Sequence, residues 1–282
     1  MDIDEYIKSQ DALFHYTKTS IAIEHILYEK QFKLSLLKDT NDPREYKFKL
    51  FSVMGWSLKP NTTSELLNRA QTAIDRILRQ QCRVMCFCTN KKPNLILNDG
   101  NTIEDTHICS EGWSKSRMWA QYGQNHYGIC LVFSKEEINN ILNGMKSEIR
   151  DFKASYVKYS QQYQIDFDSI TLDGNRLENE GVEEYSFKHV LENSEEFFFT
   201  KHIDYRDEAE FRFVIFEPHR KDTYKNLEYL DVKPSLKCVI VGDRTPEAYF
   251  HLINKMCVDL NIVSGRAYWD RGKPHLLFCK NA

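Results

Sequence analysis

The run Arg206-Asp207-Glu208-Ala209-Glu210-Phe211-Arg212-Phe213-Val214-Ile215-Phe216 constrains this chain more than any other. It begins charged and ends as a strongly apolar strand. With the two-residue period of a strand, Glu208, Glu210 and Arg212 share one face, and Ala209, Phe211 and Phe213 share the other. Two carboxylates about 7 Å apart on such a strand are costly without a role. In one reading, Arg212 and Lys201 neutralise them in a structural ion-pair network. In the other, one carboxylate stabilises an oxocarbenium-like centre and its neighbour orients an acceptor.

The 282 residues are 41% hydrophobic and 28% charged, an ordinary folded composition long enough to bury a sizeable core. No run of about 18 apolar residues exists to cross a membrane. The acidic start Met1-Asp2-Ile3-Asp4-Glu5 lacks the apolar region of a secretory signal, so the expectation is a cytoplasmic protein. A net charge of −3 argues against a general nucleic-acid coat protein. The eight cysteines, at 82, 86, 88, 109, 130, 238, 257 and 279, sit mostly in apolar strand-like runs and are expected as buried free thiols. Cys86-x-Cys88 with His107-x-Cys109 matches no standard zinc spacing, so no metal is expected.

Strands are expected at 13–17, 32–35, 81–89, 127–133, 154–159, 208–216, 236–241 and 267–278. Helices are expected at 19–30, 44–55, 62–80, 114–122, 134–146 and 245–260. Thr19 or Ser20 is the expected N-cap of the first helix, and Ser134 with Glu137 has capping-box spacing. Asn41-Asp42-Pro43 reads as a turn, and 90–112 as a long exposed loop. No G-x-G-x-x-G or P-loop pattern occurs, which excludes those nucleotide folds. Residues 163–196 carry ten acids and two bases. The block reads as a solvated helical insertion or as a segment that binds a protein partner, and it leaves the remainder mildly basic. The whole chain, 1–282, reads as one domain with this acidic insertion.

Two further constellations could carry chemistry. In Phe14-His15-Tyr16-Thr17, His15 and Thr17 share one strand face. His15 is either a hydrogen-bonded structural residue or a group that holds a ribose hydroxyl or moves a proton. In Trp113-Ser114…Trp119-Ala120-Gln121-Tyr122-Gly123, Trp119 and Tyr122 share a helix face, either as core or as a stack for a flat ligand. His126-Tyr127-Gly128 follows, and Gly128 permits close backbone approach.

Taken in order, F-H-Y-T (14–17), N-D-P-x-E (41–45), W-x-x-Y (119–122), H-x-G-x-C (126–130) and E-x-E-x-R (208–212) resemble a bacterial family, the domain of unknown function numbered 2971. Tyr205 stands where that pattern commonly has Trp before E-x-E. The motif order is also similar to that of ADP-ribosyltransferases. That resemblance implies an α+β fold of mixed, mainly antiparallel sheets with flanking helices around a transferase-like core. It implies NAD as substrate, with His15 on a ribose, Tyr122 stacked on nicotinamide, Glu210 on the nicotinamide ribose and Glu208 orienting the acceptor. Tyr16, Thr17, Trp119, His126 and Arg212 join His15 and Tyr122 as expected NAD contacts, and Arg212 with Lys201 would meet the pyrophosphate or restrain the glutamates. The acceptor would be a protein or nucleic acid, in bacterial anti-phage defence or toxin action. Two rival readings stand beside this one. One is a non-catalytic nucleotide-sensing or interaction module. The other is a carboxylate-dependent hydrolase or nuclease.

Overall fold

The computed structural model describes residues 2–40, 42, 52–54, 60–97, 99–107, 111–161, 171–217 and 227–279. Its strands, in chain order, are β1 (Ala12–Thr17), β2 (Gln31–Lys33), β3 (Ser35–Leu36), β4 (Ser52–Met54), β5 (Cys82–Thr89), β6 (Asn94–Ile96), β7 (Thr102–Glu104), β8 (Ile129–Ser134) and β9 (Asp151–Tyr156). They continue as β10 (Lys158–Ser160), β11 (Thr171–Asp173), β12 (Thr200–His202), β13 (Glu210–Phe216), β14 (Tyr229–Asp231), β15 (Leu236–Val241), β16 (Val263–Asp270) and β17 (Lys273–Phe278). The main sheet runs β17-β16-β15-β8-β1-β5-β13-β9, with β3 added beside β5. It is antiparallel except for β15 with β16. A smaller sheet runs β12-β10-β6-β7. The architecture is α+β, with mixed, mainly antiparallel sheets and flanking helices, as expected.

The main sheet consists of two halves whose strands pair with each other over only a short stretch. β1 pairs with β8 over its whole length, Ala12↔Ser134 to Thr17↔Ile129. β5 pairs with β13 just as fully, from Glu210↔Cys88 to Phe216↔Cys82. Between β1 and β5 only Leu13↔Thr89 and Phe14↔Cys88 are in register. Beyond them the strands part, and β3 takes the far edge of β5 at Ser35↔Val84 and Leu36↔Arg83. The edge of β5 between these two partners is left open along its middle.

Alternation along the strands sorts the core into three clusters. On one face, Leu13, Met85, Phe87, Leu131, Phe133, Phe211, Phe213 and Ile215 form a cluster common to both halves, packed on Ile26, Ile138 and Ile253 of three helical segments. On the other face each half has its own cluster. Phe14, Tyr16, Cys130, Val132 and Ile240 pack with Trp113 and Trp119. Val84, Val214 and Phe216 pack with the helix Pro60–Gln80 and with residues 177–199. In that helix the buried set Ala70, Ala73, Ile74, Ile77 and Leu78 follows an amphipathic spacing. The carboxylates and cations of the site described below lie on this face, between the two separate clusters, whereas His15, in step with Leu13, packs on Phe32 and Phe87 of the common cluster.

Several sequence expectations change in detail. Residues 19–30 form a short α-turn, Thr19–Ile21, that widens into a π-helix, Ala22–Tyr28. Its N-cap is Lys18, not Thr19 or Ser20, because the Thr19 hydroxyl donates to the Tyr127 carbonyl instead. The 90–112 region contains the hairpin of β6 and β7. Of the acidic block, 174–198 forms three helices whose apolar side, with Leu177, Tyr185 and Val190, belongs to the core. Its charges pair outward, as in Arg176 with Glu180 and Glu192. The expected turn at 41–43, apart from Asp42, residues 44–51 and 55 of the expected helix, Cys109 and residues 162–170 lie outside the described residues. Within that expected helix, Ser52–Met54 is instead the strand β4, paired in parallel with β11. Ser134 caps its helix as expected, accepting the Glu137 N–H at 3.1 Å.

Gly128 is required by close approach. A Cβ there would lie 2.4 Å from the Thr17 carbonyl oxygen and 2.7 Å from the Gly123 carbonyl, all of it backbone that cannot yield cheaply. Gly128→Ala is expected to destabilise the fold by about 1–3 kcal/mol, read as a lower urea midpoint at unchanged m value.

Candidate functional site

Where β1 and β5 part, a cleft of about 480 Å³ opens. His15, Tyr16 and Thr17 line it from β1, Cys86, Phe87 and Cys88 from β5, and Tyr122 from the end of the helix Ser116–Gln121. Lys201 on β12, Glu208 and Glu210 complete its polar end. Expected residues from three distant parts of the chain, His15, Tyr122 and the pair Glu208 and Glu210, therefore share one cavity.

The two glutamates are not consecutive outward positions of one strand. Glu208 ends the 3₁₀ helix Ile203–Glu208, Ala209 is left-handed (φ 42°, ψ 56°), and Glu210 opens β13. The bend costs about 1 kcal/mol for a residue with a Cβ. It is held by the Thr89 backbone N–H and hydroxyl, which both donate to the Ala209 carbonyl. The turn swings both carboxylates toward one cation. Lys201 Nζ lies 2.8 Å from Glu208 Oε2 and 2.7 Å from Glu210 Oε2.

Each carboxylate has a further partner. The Tyr122 hydroxyl donates to Glu208 Oε1 at 2.8 Å. Arg212 grips Glu210 with Nε at 2.8 Å and Nη2 at 3.2 Å, and its Nη1 donates to the Phe198 carbonyl. The Tyr159 hydroxyl accepts the Glu210 backbone N–H. Two anions and two cations thus balance in a largely dry site. Burial pushes the Glu210 carboxyl up, but Arg212 and Lys201 outweigh it and hold that group well below the usual carboxylate range. Burial also pushes Glu208 up, and there Lys201 offsets it only in part, so its carboxyl ends above the usual value. Environments that drive two neighbouring carboxyls apart are a mark of acid–base division of labour.

His15 bridges the gap between the sheet halves. Its Nδ1 lies 3.2 Å from the Cys86 carbonyl. A carbonyl only accepts, so Nδ1 carries the proton and Nε2 of the neutral ring keeps a lone pair. Burial against Phe32 and Phe87 lowers the imidazole to a pKa of about 4. On the same side the cleft is walled by Ile21, His25 and Ile26. A π-helix takes more residues per turn than an α-helix, so side chains four and five apart fall on one side.

Three expected contact residues stand elsewhere. Trp119 is fully buried, donates Nε1–H to the Trp113 carbonyl at 2.8 Å and packs edge-on against Tyr16. His126 belongs to the same aromatic group, stacked on Trp119 and edge-on to Trp269. Arg212 is fully buried behind Glu210. None of the three lines the cleft. Trp119 and Tyr122 share a helix face in projection, but the apolar side of the short helix takes the indole and leaves the phenol at its end. Cys86, Tyr159, Phe32 and Tyr229 were not expected at the site. Only the register of β5 and β13, which sets Cys86 opposite Arg212 and Cys88 opposite Glu210, brings the thiols there.

The family model of a protein of unknown function, DUF2971, matches residues 118–213. The matched segment runs from the Trp119–Tyr122 helix through E-x-E-x-R, while F-H-Y-T and N-D-P-x-E lie outside it. No curated protein and no solved structure matches the chain.

Two outcomes are expected. Trp119→Ala removes buried area and a hydrogen bond and should cost about 3–5 kcal/mol of stability, while ligand affinity of the folded fraction stays unchanged. For His15, the folded ring stays neutral between pH 6.5 and about 4 while the unfolded chain takes up a proton. Stability should therefore fall with pH across that window, by up to about 3 kcal/mol, and level off below it. Urea midpoints of His15→Gln should decline less steeply than those of the parent over the same range. Parallel declines would show that the ring is not buried neutral.

Proposed function

We propose that the cleft binds NAD and breaks its nicotinamide N-glycosidic bond, passing ADP-ribose to a macromolecular acceptor. The observation that carries this reading is the convergence of His15, Tyr122, Glu208 and Glu210 on one cleft at the strand split. In the reaction the C1′–N bond breaks with its electron pair leaving on nicotinamide, and positive charge develops at C1′. A fixed, ionised carboxylate stabilises that charge more in the transition state than in the ground state. Glu210, clamped by Arg212, suits this role. The acceptor nucleophile then bonds to C1′ and yields its proton. Glu208, with the higher carboxyl pKa of the pair, suits the base that receives it. The Nε2 lone pair of His15 suits a ribose hydroxyl, and the apolar wall of Ile21, Ile26 and Phe32 suits a flat ring.

A cytoplasmic setting, a protein partner at the acidic helices and a role in defence or as a toxin go with this reading. No helix of the described residues is long and apolar enough to cross a membrane. The balanced charges of the site favour one other reading, a nucleotide-binding module without turnover, because compensated carboxylates attract a developing cation less.

The test is to incubate the protein with labelled NAD and candidate acceptors. The proposal expects nicotinamide release, with a drop on the order of a hundredfold or more in Glu210→Gln. Binding without release would favour the module. Neither binding nor release would sink both. Activity that needs a divalent metal and ignores NAD would point to a hydrolase.

A further inference from the structure

Glu208 and Glu210 belong to one turn and strand, but the cation between them does not. Lys201 sits at the centre of β12, in the smaller sheet, paired in register with Tyr159 of β10. Tyr159 in turn accepts the backbone N–H of Glu210. One sheet thus delivers the ammonium and pins the backbone of the carboxylate that receives it. The ring of Tyr205 lies 5.3 Å from Lys201 Nζ, close enough for a cation–π contact that helps hold the ammonium in place. Arg212 meets Glu210, and Lys201 meets both glutamates. Lys201 also lines the cleft, although its side chain is only 7% exposed.

We propose that Lys201 is the positioning residue of this cleft, an ammonium brought from the second sheet that fixes the spacing and the charge of Glu208 relative to Glu210. The role rests on the cleft being the reaction site. Without Lys201 the pair would be two like charges in a dry pocket, and one of them would take up a proton. Arg212 keeps Glu210 ionised, so the proton would go to Glu208. The groups that face Glu208 are Lys201 from β12, Tyr122 from the helix end, Glu210 from β13, and Cys88 and Tyr159 nearby. Those that face Glu210 are Arg212, Lys201, Glu208, Cys86, Cys88 and Tyr159. Among these, Lys201 is the cation that touches Glu208.

The experiment titrates glutamate side-chain carboxyls labelled with ¹³C, assigned through Glu208→Gln and Glu210→Gln, in the full chain and in Lys201→Met, Lys201→Arg and Tyr122→Phe. Lys201→Met should raise the Glu208 midpoint by about one to two pH units. Lys201→Arg should bring it most of the way back, and Tyr122→Phe should move it less. The acid limb of kcat/KM for nicotinamide release should climb by the same amount in Lys201→Met. A lysine that only braces the fold predicts lost stability with the Glu208 midpoint unmoved, and that result overturns the proposal. If Lys201→Met does not fold, the ¹⁵Nζ resonance of Lys201 in the parent protein decides. It must shift with the Glu208 midpoint, and indifference to that titration overturns the proposal. Carboxyl shifts without any NAD turnover in the parent would leave this inference standing and remove the reaction. Turnover with an unmoved carboxyl would do the reverse.

Discussion

The two halves of the main sheet are joined by two register pairs, Leu13↔Thr89 and Phe14↔Cys88. This short contact sets up the rest. Because β1 leaves β5 after it, backbone on both strands loses a ladder partner in the interior, and such groups are rarely left unsatisfied. The protein answers with side chains. The His15 ring spans the gap to the Cys86 carbonyl, and β3 closes the far end of the same edge. The cleft is the space between these repairs. A shared core below the sheet keeps the halves together, and the two separate cores above leave room for polar groups between them.

Charge is admitted to that space under strict conditions. An unpaired carboxylate at this depth would neutralise itself, and removing one member of a buried pair costs several kcal/mol. Glu208, Glu210, Lys201 and Arg212 satisfy one another, with Tyr122, Tyr159 and the Phe198 carbonyl taking remaining valences. The arrangement is unequal by design of its geometry. Glu210 has two cations and a full grip, whereas Glu208 has one cation and a phenol. The less compensated carboxyl therefore has the freer proton chemistry.

Much of this was legible in the sequence. Alternation in Phe14–Thr17 and Phe211–Phe216 placed the apolar faces correctly, since period two is a direct consequence of strand geometry. Ser134 and Glu137 announced their cap. The E-x-E-x-R run announced a buried ion network with Lys201. Other features were not legible. The π-helix at Ala22–Tyr28 has the composition of an α-helix, so its wider turn leaves no mark in the sequence. Trp119 and Tyr122 share a helix face in projection, yet tertiary packing buries one and leaves the other at the cleft. The acidic count of 163–196 hid the apolar stripe of Leu177, Tyr185 and Val190, because charge composition says nothing of which side each residue takes. DUF2971 names a segment and no reaction, and the residues that could carry chemistry are those that meet at the cleft.

The left-handed Ala209 has a consequence for how such motifs should be read. In E-x-E the middle position is usually treated as a spacer. Here its backbone sets where the first glutamate points, and its carbonyl is locked onto Thr89. A β-branched residue at 209 would resist the left-handed geometry and draw the segment toward a continuous strand, carrying Glu208 off the shared ammonium. Two chains with identical glutamates could then differ in chemistry through their silent letter alone.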